Sequence, residues 1–127
     1  MVKNVLFINN ARTLLAISGL LARMGYEVDL YHDVNAGLER LEKQAYDIIV
    51  LMEIPTTESW PTCERIRALT GAPLIVISPD ATAENCVRAI NAGADCFLRK
   101  SFGPMEFLAR VSSLLQRNAA RQPLPSA

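Results

Sequence analysis

The run Ile48-Ile-Val-Leu-Met52 constrains this chain more than any other stretch. It is bracketed by Asp47 and Glu53 and falls far short of the ~20 apolar residues that a membrane-spanning helix needs. β-Branched residues fill its front half, which disfavours a helix start there. Such a run reads as a strand buried on both faces, the habit of a central strand in a parallel sheet. In open parallel sheets, ligands and chemistry sit beyond the carboxyl ends of the strands. A function should therefore show itself around Met52 and Glu53.

The same alternation of buried runs and helical periodicity fills the rest of the chain. Val5–Ile8 is a first strand ending in Asn9-Asn10, and Asn10 caps a helix with Leu14, Ile17, Leu21 and Met24 at helical spacing. Gly25 stops that helix, and Tyr26–Tyr31 alternates as a second strand. Asp33 caps a second helix carrying Val34, Leu38 and Leu41. After the run 48–52, a third helix starts near Ser59, takes Pro61 in its first turn, and presents Cys63, Ile66 and Leu69. Pro73–Ser78 is a fourth strand. A fourth helix from Thr82 to Ala92 turns Val87 and Ile90 inward and stops at Gly93. Cys96–Leu98 is a short fifth strand, and Pro104 opens a fifth helix whose Phe107, Leu108, Val111, Leu114 and Leu115 form a wide stripe.

Strands alternating with helices predict an α/β fold, a doubly wound three-layer sandwich on a parallel sheet. The flavodoxin-like (βα)5 order 2-1-3-4-5 is the common one at this size. It gathers the ends of strands one, three, four and five around one crevice, where Asn9, Asn10, Met52, Glu53, Ser78 and Lys100 stand. The 127 residues suit one domain over 1–117, with 118–127, carrying Pro123 and Pro125, as a tail or linker.

Lys and Arg balance Asp and Glu, so no basic stripe offers itself to nucleic acid. Cys63, Cys86 and Cys96 are odd in number and widely spaced, which fits buried free thiols in a reducing cytosol better than a disulfide framework or zinc site, either of which needs paired or CxxC-type spacing. Met-Val-Lys-Asn leads straight into a strand and makes no signal peptide. The expectation is a soluble cytoplasmic protein with no membrane contact. His32 has no partner pattern around it. Trp60 leads into helix three, where partial burial over Pro55 or Pro61 is expected, although an exposed aromatic can mark a contact.

Over its whole patterned length the chain resembles the receiver domain of two-component response regulators. Pro73-Leu-Ile-Val-Ile-Ser78 resembles the family's fourth strand and switch hydroxyl. Ala92-Gly-Ala-Asp-Cys-Phe-Leu-Arg-Lys-Ser-Phe102 resembles its fifth strand, switch aromatic (Phe97) and Lys-Pro-Phe signature. Gly103-Pro-Met-Glu-Phe107, Gly25-Tyr-Glu-Val28 and Ala45-Tyr-Asp47 match further landmarks. The resemblance implies an aspartate at the end of strand three that takes a phosphoryl group from a histidine kinase. It also implies an acid pair after strand one that helps hold Mg²⁺.

This sequence departs at each of those positions. Asn9-Asn10 replaces the acid pair, and Lys100-Ser101 replaces Lys-Pro. Counting forward from Asp47 puts Met52 at the acceptor position, whereas counting back from Pro55 puts Leu51 there. The counts differ by one residue, which points to a deletion in this loop. Mg²⁺ is a hard cation held by carboxylates and phosphate oxygens, and two amides with Glu53 offer far less charge. The expected role is therefore a degenerate receiver, neither enzyme nor metal or cofactor binder. It acts independently of phosphorylation by binding a protein partner, an output domain or a second copy of itself. By resemblance the contact face is helix four, strand five and helix five, with Arg88, Asn91, Phe97, Arg99 and Arg110. The alternative, a small-ligand or cofactor domain using the crevice, lacks a Gly-rich phosphate loop after strand one. Lys100, deprived of the acid pair, has Glu53 as its nearest candidate partner.

Overall fold

The computed structural model describes residues 3–8, 15–52, 59–79, 82–99 and 102–121. Its elements are β1 (Asn4–Ile8), α1 (Leu15–Arg23), β2 (Glu27–Tyr31), α2 (Val34–Lys43), β3 (Ile48–Met52), α3 (Ser59–Leu69), β4 (Leu74–Ser78), α4 (Ala83–Asn91), β5 (Cys96–Arg99) and α5 (Pro104–Arg121). The sheet is parallel throughout, in the order β2-β1-β3-β4-β5 that the sequence predicts. α5 continues through position 117 to Arg121.

Alternation along the buried strands sorts the core into two layers. Val5, Phe7, Ile48, Val50, Met52, Ile75, Ile77 and Leu98 meet Leu21 of α1 and Phe107, Val111 and Leu114 of α5. Leu6, Ile8, Ile49, Leu51, Leu74 and Val76 meet Leu38 and Leu41 of α2, Cys63 and Ile66 of α3, and Ala89 of α4. Every residue of β3 and β4 is buried, which explains why these strands read as continuous apolar runs. Burying one such side chain is worth about 1.5–3 kcal/mol, so these two strands anchor the sheet. β2 lies at the sheet's edge and is half-buried along most of its length, so its sequence alternation has no clean counterpart in burial.

Local signals hold where backbone chemistry sets them. Asp33 accepts from the Asn35 amide at 3.2 Å, and Thr82 accepts from the Asn85 amide at 3.1 Å, each capping its helix. Gly25 and Gly93, read as helix stops, both have positive φ.

Packing corrects several expectations. Val87 and Ile90 do not face inward: they are 58% and 43% exposed, and α4 buries Ala89 instead. Met24 and Leu69 are exposed as well, the first because α1 ends at Arg23, the second because it is the last residue of α3. Of the three thiols expected to be buried, only Cys63 is; Cys86 and Cys96 are half-buried.

The amino ends of the strands are stitched by two aspartates. Asp47, just before β3, accepts the Asn4 amide at 2.7 Å and donates its own N–H to the Asn4 carbonyl at 2.9 Å. Asp95, just before β5, repeats both contacts with Leu74 at 2.8 Å. Arg67 of α3 pairs with Asp95 and donates to the carbonyls of Gly93 at 2.7 Å and Ala72 at 2.5 Å.

Candidate functional site

The carboxyl ends of β1, β3, β4 and β5 are Ile8, Met52, Ser78 and Arg99. Parallel register aligns them: Ile8 pairs with Leu51, Met52 with Ile77, and Ser78 with Arg99. No carboxylate ends any of these strands within the described residues. Met52 is 2% exposed and packs in the α1–α5 layer, while Leu51 packs in the α2–α3–α4 layer. Both candidate acceptor positions therefore carry core side chains. Ser78 is fully buried, and no buried side-chain polar atom among the described residues lacks a hydrogen-bond partner. Asn9, Asn10, Glu53 and Lys100 lie outside the described residues, and so do the Asn10 cap and the Glu53–Lys100 contact.

The five residues assigned to a contact face fall into separate places. Arg88 and Asn91 line a groove of about 190 Å³ with Trp60, Glu64 and Ala92, between α3 and α4. Arg110 lines a smaller hollow of about 40 Å³ with Asp95, Cys96, Ser113, Leu114 and Arg117, between β5 and α5. Arg99 is exposed, and Phe97 is half-buried against the α2–α3–α4 layer. Phe102, in the signature after β5, packs its ring 5.6 Å from that of Phe107, and the Phe102 amide donates to the Arg99 carbonyl at 2.9 Å.

Sequence reasoning missed the outward side of α4. Ala83, Val87 and Ile90 are spaced i, i+4, i+7 and so share one face, and all three are exposed. The spacing was visible in the sequence; the direction in which the face points was not. Trp60 is half-buried as expected, but the guanidinium carbon of Arg88 lies over its ring, 5.0 Å from the centroid.

The perturbed titratable groups lie away from the strand ends. Tyr46 is buried and donates to Asp29 at 2.5 Å, while Arg40 donates to its hydroxyl at 3.1 Å. Burial first, then the bond to Asp29, pushes the phenol up to about 12. Burial also pushes the Cys96 thiol up, which keeps it protonated near neutral pH. Among the described residues no cluster of His, Cys, Asp and Glu is placed to hold a metal, and no helix is long and apolar enough to cross a membrane.

A five-stranded parallel sheet in this order, layered by helices on both faces, defines a doubly wound α/β domain of the flavodoxin-like type. The sequence profile of the response regulator receiver domain matches residues 5–112, and the chain belongs to that family. It is 30% identical over 116 residues to response regulator ArlR of Staphylococcus epidermidis, covering 90% of this chain and 53% of that protein. It is 31% identical over 103 residues to the transcriptional activator protein IrlR of Burkholderia pseudomallei, covering 80% of this chain and 45% of that one. The chain thus spans about half the length of these curated relatives. In fold it is similar to a CheY-like receiver domain protein from Methanospirillum hungatei, with a TM-score of 0.86, 24% identity, and coverage of 94% of this chain and 98% of that one.

Proposed function

We propose that this chain is a degenerate receiver domain that signals without taking up a phosphoryl group, as a non-enzymatic protein-interaction module. The observation that carries this reading is Met52, a thioether 2% exposed at the end of β3, with Leu51 beside it equally committed to the core. A thioether cannot form an acyl phosphate. Glu53 is the nearest carboxylate in sequence, one methylene longer than aspartate, and a displacement of ~1 Å from in-line geometry costs about a hundredfold. The magnesium ion implied by the family does not fit the donors present either. Asn9 and Asn10 supply neutral amide oxygens, and Met52 supplies a soft sulfur that a hard cation avoids.

The contact face is formed by α4, β5 and α5. In its favour are the exposed apolar stripe Ala83–Val87–Ile90 of α4, the exposed Met105 at the start of α5, and the exposed Arg99 of β5 and Arg110 of α5. Exposed apolar side chains together with arginines have the composition of a protein contact. The occupant is a cytoplasmic signalling partner, an output domain, or a second copy of this chain.

Incubation with a small phosphodonor and millimolar Mg²⁺, followed by intact-mass measurement, tests the central point. No phosphoryl adduct is expected, and no rise in melting temperature with Mg²⁺, since a ligand that binds only the native state would raise it. An adduct mapped to Glu53, or a saturable thermal shift abolished by Glu53→Gln, overturns the reading.

A further inference from the structure

α4 is thinly anchored. It buries Ala89 alone, whereas α2 buries Gly37, Leu38 and Leu41. Its apolar stripe Ala83–Val87–Ile90 faces solvent. Its polar stripe, Glu84, Arg88 and Asn91 at the same i, i+4, i+7 spacing, contributes Arg88 and Asn91 to the groove shared with α3. At that groove, outside the layer where Ala89 meets Cys63 and Ile66, the two helices share a stacked pair. The Arg88 guanidinium sits 5.0 Å from the Trp60 ring centroid, and Glu84, one turn back, accepts from it at 2.6 Å. A planar guanidinium held from behind by a carboxylate is well placed to stack on an indole face. Trp60 stands in the first turn of α3, the next described element after β3.

We propose that the Arg88–Trp60 pair is a latch that fixes the side of α4 to the start of α3 and sets how firmly α4 is docked. With the latch closed, the ring is covered and α4 is held along its polar stripe. With it open, the ring is bared, the groove widens, and Ala89 is left as the helix's buried anchor. A cation–π contact at a partly exposed site is small enough to open and close thermally, which suits a latch and not a permanent joint.

Hydrogen exchange of the full 127-residue chain, followed by mass spectrometry over residues 83–91, tests this, with Trp60 emission as a second readout because it is the chain's one tryptophan. Arg88→Ala should speed exchange across α4 by about two- to fivefold, the fold-change equivalent to a contact of ~0.5–1 kcal/mol, and should shift the emission. Alanine is the better helix former, so loosening cannot come from propensity. Trp60→Leu should loosen α4 to a similar degree, and the double variant should loosen it no further than either single one. Glu84→Gln, which keeps the ring contact, should have the smaller effect. The latch is refuted by any of four results: unchanged exchange in Arg88→Ala, an equal increase in α2, full additivity of the two substitutions, or a Glu84→Gln effect as large as that of Arg88→Ala.

Discussion

Replacing Gly93 with alanine tests how α4 is tied to the sheet at its other end. Gly93 has φ +119, a conformation that a side chain strains at a cost of about 1–3 kcal/mol. An added Cβ would also overlap Cγ of Arg67 and lie 3.1 Å from its Nε, so the arginine must leave. Arg67 then gives up its bonds to the Gly93 and Ala72 carbonyls and its pairing with Asp95. Hydrogen bonds from a charged donor are worth ~1.5–3 kcal/mol each when buried and less at this half-buried site, so that loss adds roughly 2–4 kcal/mol. The total, about 3–7 kcal/mol, is a large part of the 5–15 kcal/mol that holds a typical domain together. Denaturant unfolding followed by circular dichroism measures it, and a double-mutant cycle apportions it. With Arg67→Ala already in place the overlap is gone, and Gly93→Ala should cost only its backbone strain of ~1–3 kcal/mol. If Gly93→Ala costs the same with and without Arg67, the steric coupling between residue 93 and Arg67 is wrong.

Met52→Asp should unfold the domain or bring it close to unfolding. It removes a buried methionine side chain, worth ~2–5 kcal/mol, and leaves a carboxylate in the core; Met52→Leu should stay within about 1.5 kcal/mol. A Met52→Asp protein that melts like the wild type and accepts a phosphoryl group would show that the strand end still faces a working crevice. Tyr46 gives a pH dependence: its folded value of about 12 lies above the ordinary ~10, so its contribution is full below pH ~10 and lost as pH rises through 12. Melting temperatures measured from pH 9 to 12 should therefore fall more steeply for the wild type than for Tyr46→Phe, and parallel curves would contradict the assignment.

Much of this was legible in the sequence because it depends on near-neighbour chemistry. Fully buried strands must be apolar at every position, so β3 and β4 stand out as runs. Asp33 and Thr82 cap because their short oxygens reach amides two and three residues on. α4 is where reading failed, and the reason is geometric. Spacing says that Val87 and Ile90 share a face; it does not say which way that face turns, and small Ala89 lets α4 pack by its other side. The role of Arg67 was equally hidden, because it joins α3 to the lead-in of β5 across 26 and 28 residues of chain. Its only trace in sequence is the pairing of a glycine at 93 with an acid at 95. At the crevice, the sequence puts Asn9, Asn10 and Met52 where the resemblance implies acids, and the structure adds that Met52 is core.

The two edges of the sheet divide the work of the domain. At the amino edge, Asp47 ties β3 to β1, Asp95 ties β5 to β4, and Arg67 binds that second stitch to the end of α4. Charge there is paired and partly shielded, and serves to fix strand register. At the carboxyl edge, β1 and β3 end in apolar side chains and Ser78 is buried. If chemistry at that edge is lost, a signal can leave the domain only through an element whose placement is cheap to change. α4 meets that condition: it is pinned by its last turn to Gly93 and Arg67, held along its side by Arg88 on Trp60, and free on the stripe that carries Val87 and Ile90. A partner that covers the stripe therefore also senses the latch, because both belong to one short helix.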